Sequence, residues 1–264
     1  MFPETLLQGH DELEPQSPDL LYFISTTDNY NVFENPFLDI ATNEILMLKV
    51  LEEARRKYGS MFTFNFVSSW FVYGETSLPA REDACCNPKG FYSISKRAAE
   101  QYLVSYCETY KIHYRILRLA NVIGIEDDGV SAKKNALQFL IREMVNGKPI
   151  RLYNGGRFIR DYISVRDAGL AINTVLRKGK VDEIYNISNG VPVIFETLIK
   201  IAMKELPMAM TISEMEPSAF HSVVQVKDMY LDNSKLKELG YHPKYSMEAT
   251  IRQIVNHYNE HRQI

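Results

Sequence analysis

The chain has 264 residues, 45% of them hydrophobic and 24% charged, with a formal net charge of −3. That length suffices for one large domain or two interleaved ones with a sizeable core, and the near-neutral balance provides no field for nucleic acid or an anionic membrane. No apolar run could span a bilayer, no basic segment leads into an apolar stretch at the N-terminus, and Cys85, Cys86 and Cys107 make no zinc spacing, so a cytoplasmic protein without a metal is expected.

In chain order, strand-like and helix-like segments alternate. Asp19 to Ser25 (DLLYFIS) is a short continuous apolar run of the buried-strand type. Asp39 to Gly59 places apolar residues at Ile45, Leu48, Val50 and Leu51, then a charged last turn and a glycine stop, which predicts an amphipathic helix. Phe62 to Ser69 reads as a strand. Ser93 to Tyr110 reads as a helix with Ala98, Ala99, Tyr102, Leu103 and Tyr106 on one stripe. His113 to Gly124 reads as a strand running into a loop. Helices follow near Ala136 to Val145 and Val165 to Leu176, a strand at Glu183 to Ile187, and two closing helices at Ser234 to Leu239 and Met247 to His261. Strands separated by helices imply an α/β fold with a parallel sheet covered on both faces.

One spacing suggests chemistry. Tyr92 and Lys96 are four apart on a predicted helix and therefore share a face. An ammonium beside a phenol favours phenolate, so Lys96 is expected to lower the Tyr92 pKa toward an acid/base role. Ser69, at the C-terminal end of the preceding strand, could bond the same reacting oxygen, since ligands of open α/β sheets gather at that edge. The Y-x-x-x-K pattern alone is weak. With 16 tyrosines, a chance match arises about once, and a surface lysine beside a half-buried tyrosine is the competing account.

Longer pieces add context: ENPFLDIATN (Glu34 to Asn43), SSWFVYGE (Ser68 to Glu75), NPKGFYSISKRAAEQYL (Asn87 to Leu103), RILRLANVIG (Arg115 to Gly124), GGRFIRDYISVRDAGLAI (Gly155 to Ile172), EIYNIS (Glu183 to Ser188) and LDNSKLKELGYHPKYSMEATI (Leu231 to Ile251). Together, in this order, they resemble the extended short-chain dehydrogenase/reductase family, the NAD-dependent nucleotide-sugar epimerases and dehydratases. The resemblance implies a Rossmann-like parallel sheet with a smaller α/β C-terminal substrate domain. It places the dinucleotide-binding part at residues 1–125 and 161–188 and the substrate part at 126–160 and 189–264. It further implies NAD or NADP as cofactor, a nucleotide-diphosphate sugar as substrate, and a homodimer paired through the helices holding Asn43 and Tyr92.

The resemblance also implies roles. Ser69, Tyr92 and Lys96 match the catalytic set, with Lys96 also on the nicotinamide ribose. Ser25, Thr26, Asn43 and Ser68 fall at cofactor positions, and Asn121, Asn135 and Arg160 at substrate positions. Arg160 would grip the diphosphate, as a guanidinium fork suits paired phosphate oxygens; a salt bridge to nearby acids is its alternative. Asn121 could equally be a turn residue satisfying backbone. Lys133 and Lys134 could meet phosphate or face solvent.

Three departures qualify the match. The Asp–Glu pair of the 4,6-dehydratases is replaced by Trp70 and Phe71. The late diphosphate-binding arginine is replaced by the region of His221 and Ser222, and Leu46 stands for a helix glycine. The glycine-rich G-x-x-G-x-x-G loop does not occur, and Glu4 to Pro15 resembles the family's third strand and turn. The first two strand–helix units, roughly 60 residues, would then be missing. Two accounts stay open: a shortened version of a normal enzyme, or a chain folding with strand 19–25 at a sheet edge, covered by its own N-terminal segment or a partner. The expected activity is epimerisation through a 4-keto sugar on NAD. The alternatives are an NADPH-dependent 4-keto sugar reductase, or a cofactor-less sugar-nucleotide-binding remnant needing a partner.

Overall fold

The alternation of short apolar runs with amphipathic segments resolves into a parallel sheet and its crossover helices. The computed structural model describes residues 18–27, 29–125, 127, 129–131, 133–207 and 210–261; Glu4 to Pro15 lies outside these. Strand β1 (Asp19–Tyr22) leads through a short 3-10 turn (Asn29–Phe33) to a π-helical stretch (Ile40–Leu46) that runs directly into α1 (Met47–Tyr58). Next come β2 (Thr63–Ser69), α2 (Phe91–Tyr110) and β3 (His113–Leu119). The expected strand His113 to Gly124 is two strands, because the backbone changes partner at Ala120: its N–H donates to Ile187 O, whereas that of Asn121 donates to Asp161 O. Strand β4 (Asn121–Ile123) is thereby handed to a different neighbour.

The C-terminal part continues with α3 (Ala136–Val145), β5 (Ile150–Tyr153), β6 (Ile159–Arg160), β7 (Tyr162–Ser164), α4 (Val165–Lys178) and β8 (Glu183–Ile187). Then follow β9 (Val193–Ile194), α5 (Phe195–Lys204), β10 (Ile212–Met215), α6 (Ala219–Val224), α7 (Ser234–Glu238) and α8 (Met247–Glu260).

The main sheet has the order β1-β2-β3-β8, all parallel. A parallel sheet must be covered on both faces, and the period-2 alternation of side chains supplies both covers. Phe64, Phe66 and Ile116 pack with Met47 and Leu51 of α1 and Leu103 and Cys107 of α2. Leu117, on the opposite face, packs with Ile172 and Val175 of α4, Ile187 and Leu236. A separate core joins α3, α5 and α8 to β5. The buried stripe of α2 runs through Tyr92, Lys96, Ala99, Leu103 and Cys107; Tyr102, expected on that stripe, is exposed. Strand β1 is an edge of the sheet among the described residues.

The C-terminal ends of β1, β2 and β3 open on one cavity of about 770 Å³, whose opposite wall comes from α3, β5 and the residues around Arg160 and His221. Crevices at this end of a parallel sheet are where such folds bind ligands.

Candidate active site

Local structure fixes α2 against the sheet. Its N-terminal amides face Asn29, whose Oδ1 accepts from the Ser93 N–H (3.4 Å) and hydroxyl (3.3 Å). Gly90 makes this approach possible, since a Cβ there would lie 1.9 Å from the same oxygen. Tyr92 and Lys96 consequently project from the first turns of α2 into the cavity wall, alongside Ser69 at the end of β2. All three are buried, Lys96 to 1% exposure.

The electrostatics differ from the expectation that Lys96 lowers the Tyr92 pKa. Burial raises the Tyr92 pKa, opposed by hydrogen bonds with the Ser69 and Ser25 hydroxyls, while the Asp39 charge raises it further. Burial pulls the Lys96 pKa down to about 7, and the Glu100 charge opposes this. Desolvation penalises the charged form of both groups. Lys96 Nζ donates to Val67 O (2.7 Å) and sits 4.0 Å over the Phe66 ring. The Ser69 hydroxyl also accepts the Phe71 N–H (3.3 Å), capping the turn that carries Trp70.

The expected cofactor residues divide. Ser25, Thr26 and Asn43 form a single network. Asn43 Oδ1 accepts from Ser25 Oγ (3.0 Å) and the Thr26 N–H (2.9 Å), and Asn43 Nδ2 donates to Thr26 Oγ1 (2.8 Å) and Ser95 Oγ (2.9 Å). Wider π-helical turns recur at functional sites, and here one carries Asn43 into this network. Ser68 differs from expectation. It lines the cavity, but its hydroxyl donates to buried Glu100 (2.6 Å), behind the strand.

The expected substrate residues all line the same cavity, yet their polar atoms are largely engaged. Arg160 was expected to hold diphosphate. Instead its guanidinium donates to the carbonyls of Ile159 (2.8 Å), Lys227 (2.7 Å) and Val226 (2.9 Å), between Trp70 and Phe158. The Val226 and Lys227 carbonyls belong to an irregular segment outside any strand, so a buried donor satisfies them, whereas Ile159 O also accepts the Met229 N–H (3.0 Å). The alternative salt bridge is not the arrangement either. Asn121 opens strand β4 rather than a turn; its side chain accepts from Trp70 Nε1 (3.2 Å) and donates to Asp161 O (2.9 Å). Asn135 donates to Asp127 and Gln138 at the left-handed start of α3. Lys133 pairs with Glu34 and Lys134 with Asp127.

Other residues reach the site without a sequence signal strong enough to find them. Arg151 on β5, Tyr153 and Tyr30 line the cavity, and an exposed position on a short strand announces nothing. His221, in the region standing in place of an arginine, lies against Tyr153 with the rings tilted (4.4 Å), and burial and the Arg160 charge lower its pKa. Asp39 accepts from Thr26 Oγ1 and Asn31, so it belongs to the Asn43 network, four residues before it on the same helical face.

The chemistry the cavity can perform is bounded by its lining. The part at the strand ends offers a phenol with serine partners and a lysine whose pKa is lowered to about 7. Beside it, Trp70 and Phe71 stack at 3.9 Å, and Phe71 meets the Tyr92 ring edge-on at 5.9 Å, so the wall next to Tyr92 is aromatic. The rest of the lining carries Lys133, Lys134, Arg151, Arg160 and His221, and the lining carboxylate Asp127 is engaged by Lys134 and Asn135.

Comparison with known proteins supplies the context. The model of the NAD dependent epimerase/dehydratase family matches residues 10–188. The chain is 29% identical over 250 residues to a trifunctional UDP-glucose 4,6-dehydratase/UDP-4-keto-6-deoxy-D-glucose 3,5-epimerase/UDP-4-keto-L-rhamnose-reductase of Arabidopsis thaliana, covering 91% of this chain and 36% of that protein. It is 29% identical over 226 residues to dTDP-glucose 4,6-dehydratase of Haemophilus influenzae, covering 79% of this chain and 63% of that one. The chain thus spans about a third to two thirds of the length of these relatives. Among solved structures, Thermus thermophilus UDP-glucose 4-epimerase in complex with NAD superposes with a TM-score of 0.79 at 25% identity, over 92% of this chain and 78% of that one.

Proposed function

The chain belongs to the NAD-dependent epimerase/dehydratase family, and from that premise we propose that it epimerises a nucleotide-diphosphate sugar through a transient 4-keto sugar. The observation that carries this reading is the convergence of Ser69, Tyr92 and Lys96 on one cavity whose adjacent wall is Trp70 and Phe71. Eliminating water needs an acid or base beside the tyrosine, and an aromatic wall offers none. Epimerisation needs only a reversible hydride transfer and one proton site.

The residues present fit the nicotinamide end of NAD. Lys96 and Tyr92 would hold its ribose side, and the Ser25–Thr26–Asn43 network would border it, all on one edge of a cavity sized for a cofactor and ligand. When bound, the nicotinamide supplies a reversible hydride acceptor. Tyr92 Oη holds or releases the proton of the sugar hydroxyl, and Ser69 Oγ orients that oxygen. Trp70 and Phe71 exclude water from the same face. Arg151, on the wall facing the sheet ends, suits the diphosphate, because a guanidinium pairs with phosphate oxygens.

Incubation of the purified protein with NAD and UDP- or GDP-hexoses, followed by sugar analysis, tests the reading. Absence of any epimer would sink it. The same residues could run an NADPH-dependent 4-keto sugar reduction, and stoichiometric cofactor oxidation would mark that reaction. Micromolar NAD binding by calorimetry would exclude a cofactor-less sugar-nucleotide-binding protein.

We further propose a homodimer. Phe91, Ile94 and Tyr102 lie exposed along one side of α2, and Phe37 and Ile45 beside it, an apolar strip of the kind interfaces cover. Ile94→Asp should lower the mass read by light scattering from two copies to one; a monomeric wild type refutes the pairing.

A further inference from the structure

Two successive turns of α2 are tied to two successive residues of β2. Lys96 Nζ bonds the Val67 carbonyl (2.7 Å), and Glu100 Oε1, one turn on, accepts the Ser68 hydroxyl (2.6 Å). The next strand residue is Ser69. Glu100 is fully buried, as is Arg118 at 1% exposure. Arg118 grips both carboxylate oxygens, Nε to Oε1 (3.0 Å) and Nη2 to Oε2 (2.8 Å), and Arg97 adds a bond to Oε2 (2.8 Å). Burial would push this carboxyl up, but Arg118, Ser68 and Arg97 hold it below the usual range, so it is an anion. Arg118 is held in turn by the Glu82 carbonyl (3.1 Å) and the Tyr73 ring (4.7 Å).

A buried ion pair does not require a position one turn from the site lysine. Residues four apart on a helix are neighbours, and the Glu100 charge favours the protonated form of Lys96. We propose that Glu100 is a positioning residue of the Ser69–Tyr92–Lys96 set, locking the end of β2 against α2 through the Ser68 hydroxyl and placing a buried anion one helical turn from Lys96. Arg118 and Arg97 orient the carboxylate, and Ser68 transmits its position to Ser69. The charged and titratable groups facing this assembly are Tyr92 and Arg97 on α2, Arg118 on β3, and Tyr73 and Cys86 beside Arg118; Asp39 faces Tyr92 from the cofactor side.

The proposal rests on the epimerase reading only for its kinetic arm. In the full chain carrying isotope-labelled lysine, the Lys96 Nζ resonance is assigned by its loss in Lys96→Met and titrated by NMR. Glu100→Gln should lower the Lys96 titration midpoint by about one pH unit, the scale of a neighbouring opposite charge. Should Glu100→Gln fail to fold, Glu100→Asp keeps an anion for Arg118 but withdraws it from Lys96 and Ser68, and a smaller fall in the same midpoint is expected. A midpoint unchanged from wild type in the folded variant overturns the proposal and leaves an ordinary buried ion pair. In the kinetic arm, Ser68→Ala should lower kcat about tenfold with KM unchanged. Unchanged kcat overturns the transmission to Ser69. If wild type turns over no sugar nucleotide, the epimerase reading fails while the Lys96 titration still decides this one.

Discussion

Replacing Lys96 by methionine should make the protein more stable while removing its chemistry. Lys96 is buried to 1% exposure and its pKa falls from 10.5 to about 7. At 1.36 kcal/mol per pH unit, that drop corresponds to about 5 kcal/mol carried by the folded state wherever the amine is protonated in both states. Lys96→Met removes this penalty and keeps an apolar stem over Phe66, but strips Val67 O of a donor, which costs about 1–3 kcal/mol. The net expectation is a gain of about 2–4 kcal/mol below pH 7. The sign with pH follows from proton linkage. Between pH 7 and 10.5 the unfolded chain binds a proton that the folded chain does not, so wild-type stability rises with pH across this window. The advantage of the variant is therefore largest below about pH 7 and closes toward about pH 10.5. Urea unfolding followed by circular dichroism at several pH values measures both curves. A variant less stable than wild type at acidic pH, or a margin independent of pH, would refute the reasoning. Stabilisation joined to loss of turnover is the pattern of a residue kept for function.

Tyr92→Phe retains the ring against Phe71 and removes the proton site, so turnover should fall about 10²- to 10⁴-fold with the thermal midpoint little changed; unimpaired turnover contradicts the assignment. Arg160→Leu should leave the carbonyls of Val226 and Lys227 without this donor, while Ile159 O keeps the Met229 N–H, a loss of about 3 kcal/mol and roughly 6–12 °C in Tm. A variant that melts like wild type and shows only a raised KM would restore Arg160 to a ligand-gripping role. Gly90→Ala meets no backbone conflict, since φ is −109°, but drives Asn29 off the start of α2. The loss should be about 1–2 kcal/mol, as for a lost cap, with kcat reduced because Tyr92 lies two residues on. Calorimetry and kinetics showing neither would falsify the capping role.

The alternating elements and the parallel sheet were legible because buried strands and amphipathic helices leave different periods in sequence. The break between Leu119 and Asn121 was not, because it depends on which distant carbonyl, Ile187 or Asp161, each N–H meets. The convergence of Ser69, Tyr92 and Lys96 followed from a strand end and one helical turn. What the residues do there was less legible. Spacing placed Lys96 beside Tyr92, but only the surrounding burial lowers the lysine's pKa to about 7 and raises that of the phenol. Arg160 shows the same limit: a motif names the guanidinium, while the carbonyls it satisfies come from Val226 and Lys227, more than sixty residues away. Glu100 was readable in principle, as the residue one turn beyond Lys96, but its partner Arg118 belongs to another strand.

The chain contains a single tryptophan, and it is Trp70 in the cavity wall, stacked on Phe71 and bonded through Nε1 to Asn121. All intrinsic indole emission thus originates at the candidate site. A reduced nicotinamide lodged near Tyr92 would absorb where that indole emits and quench it by energy transfer. The protein is in this respect its own optical probe, able to report cofactor occupancy and redox state without label or coupled enzyme.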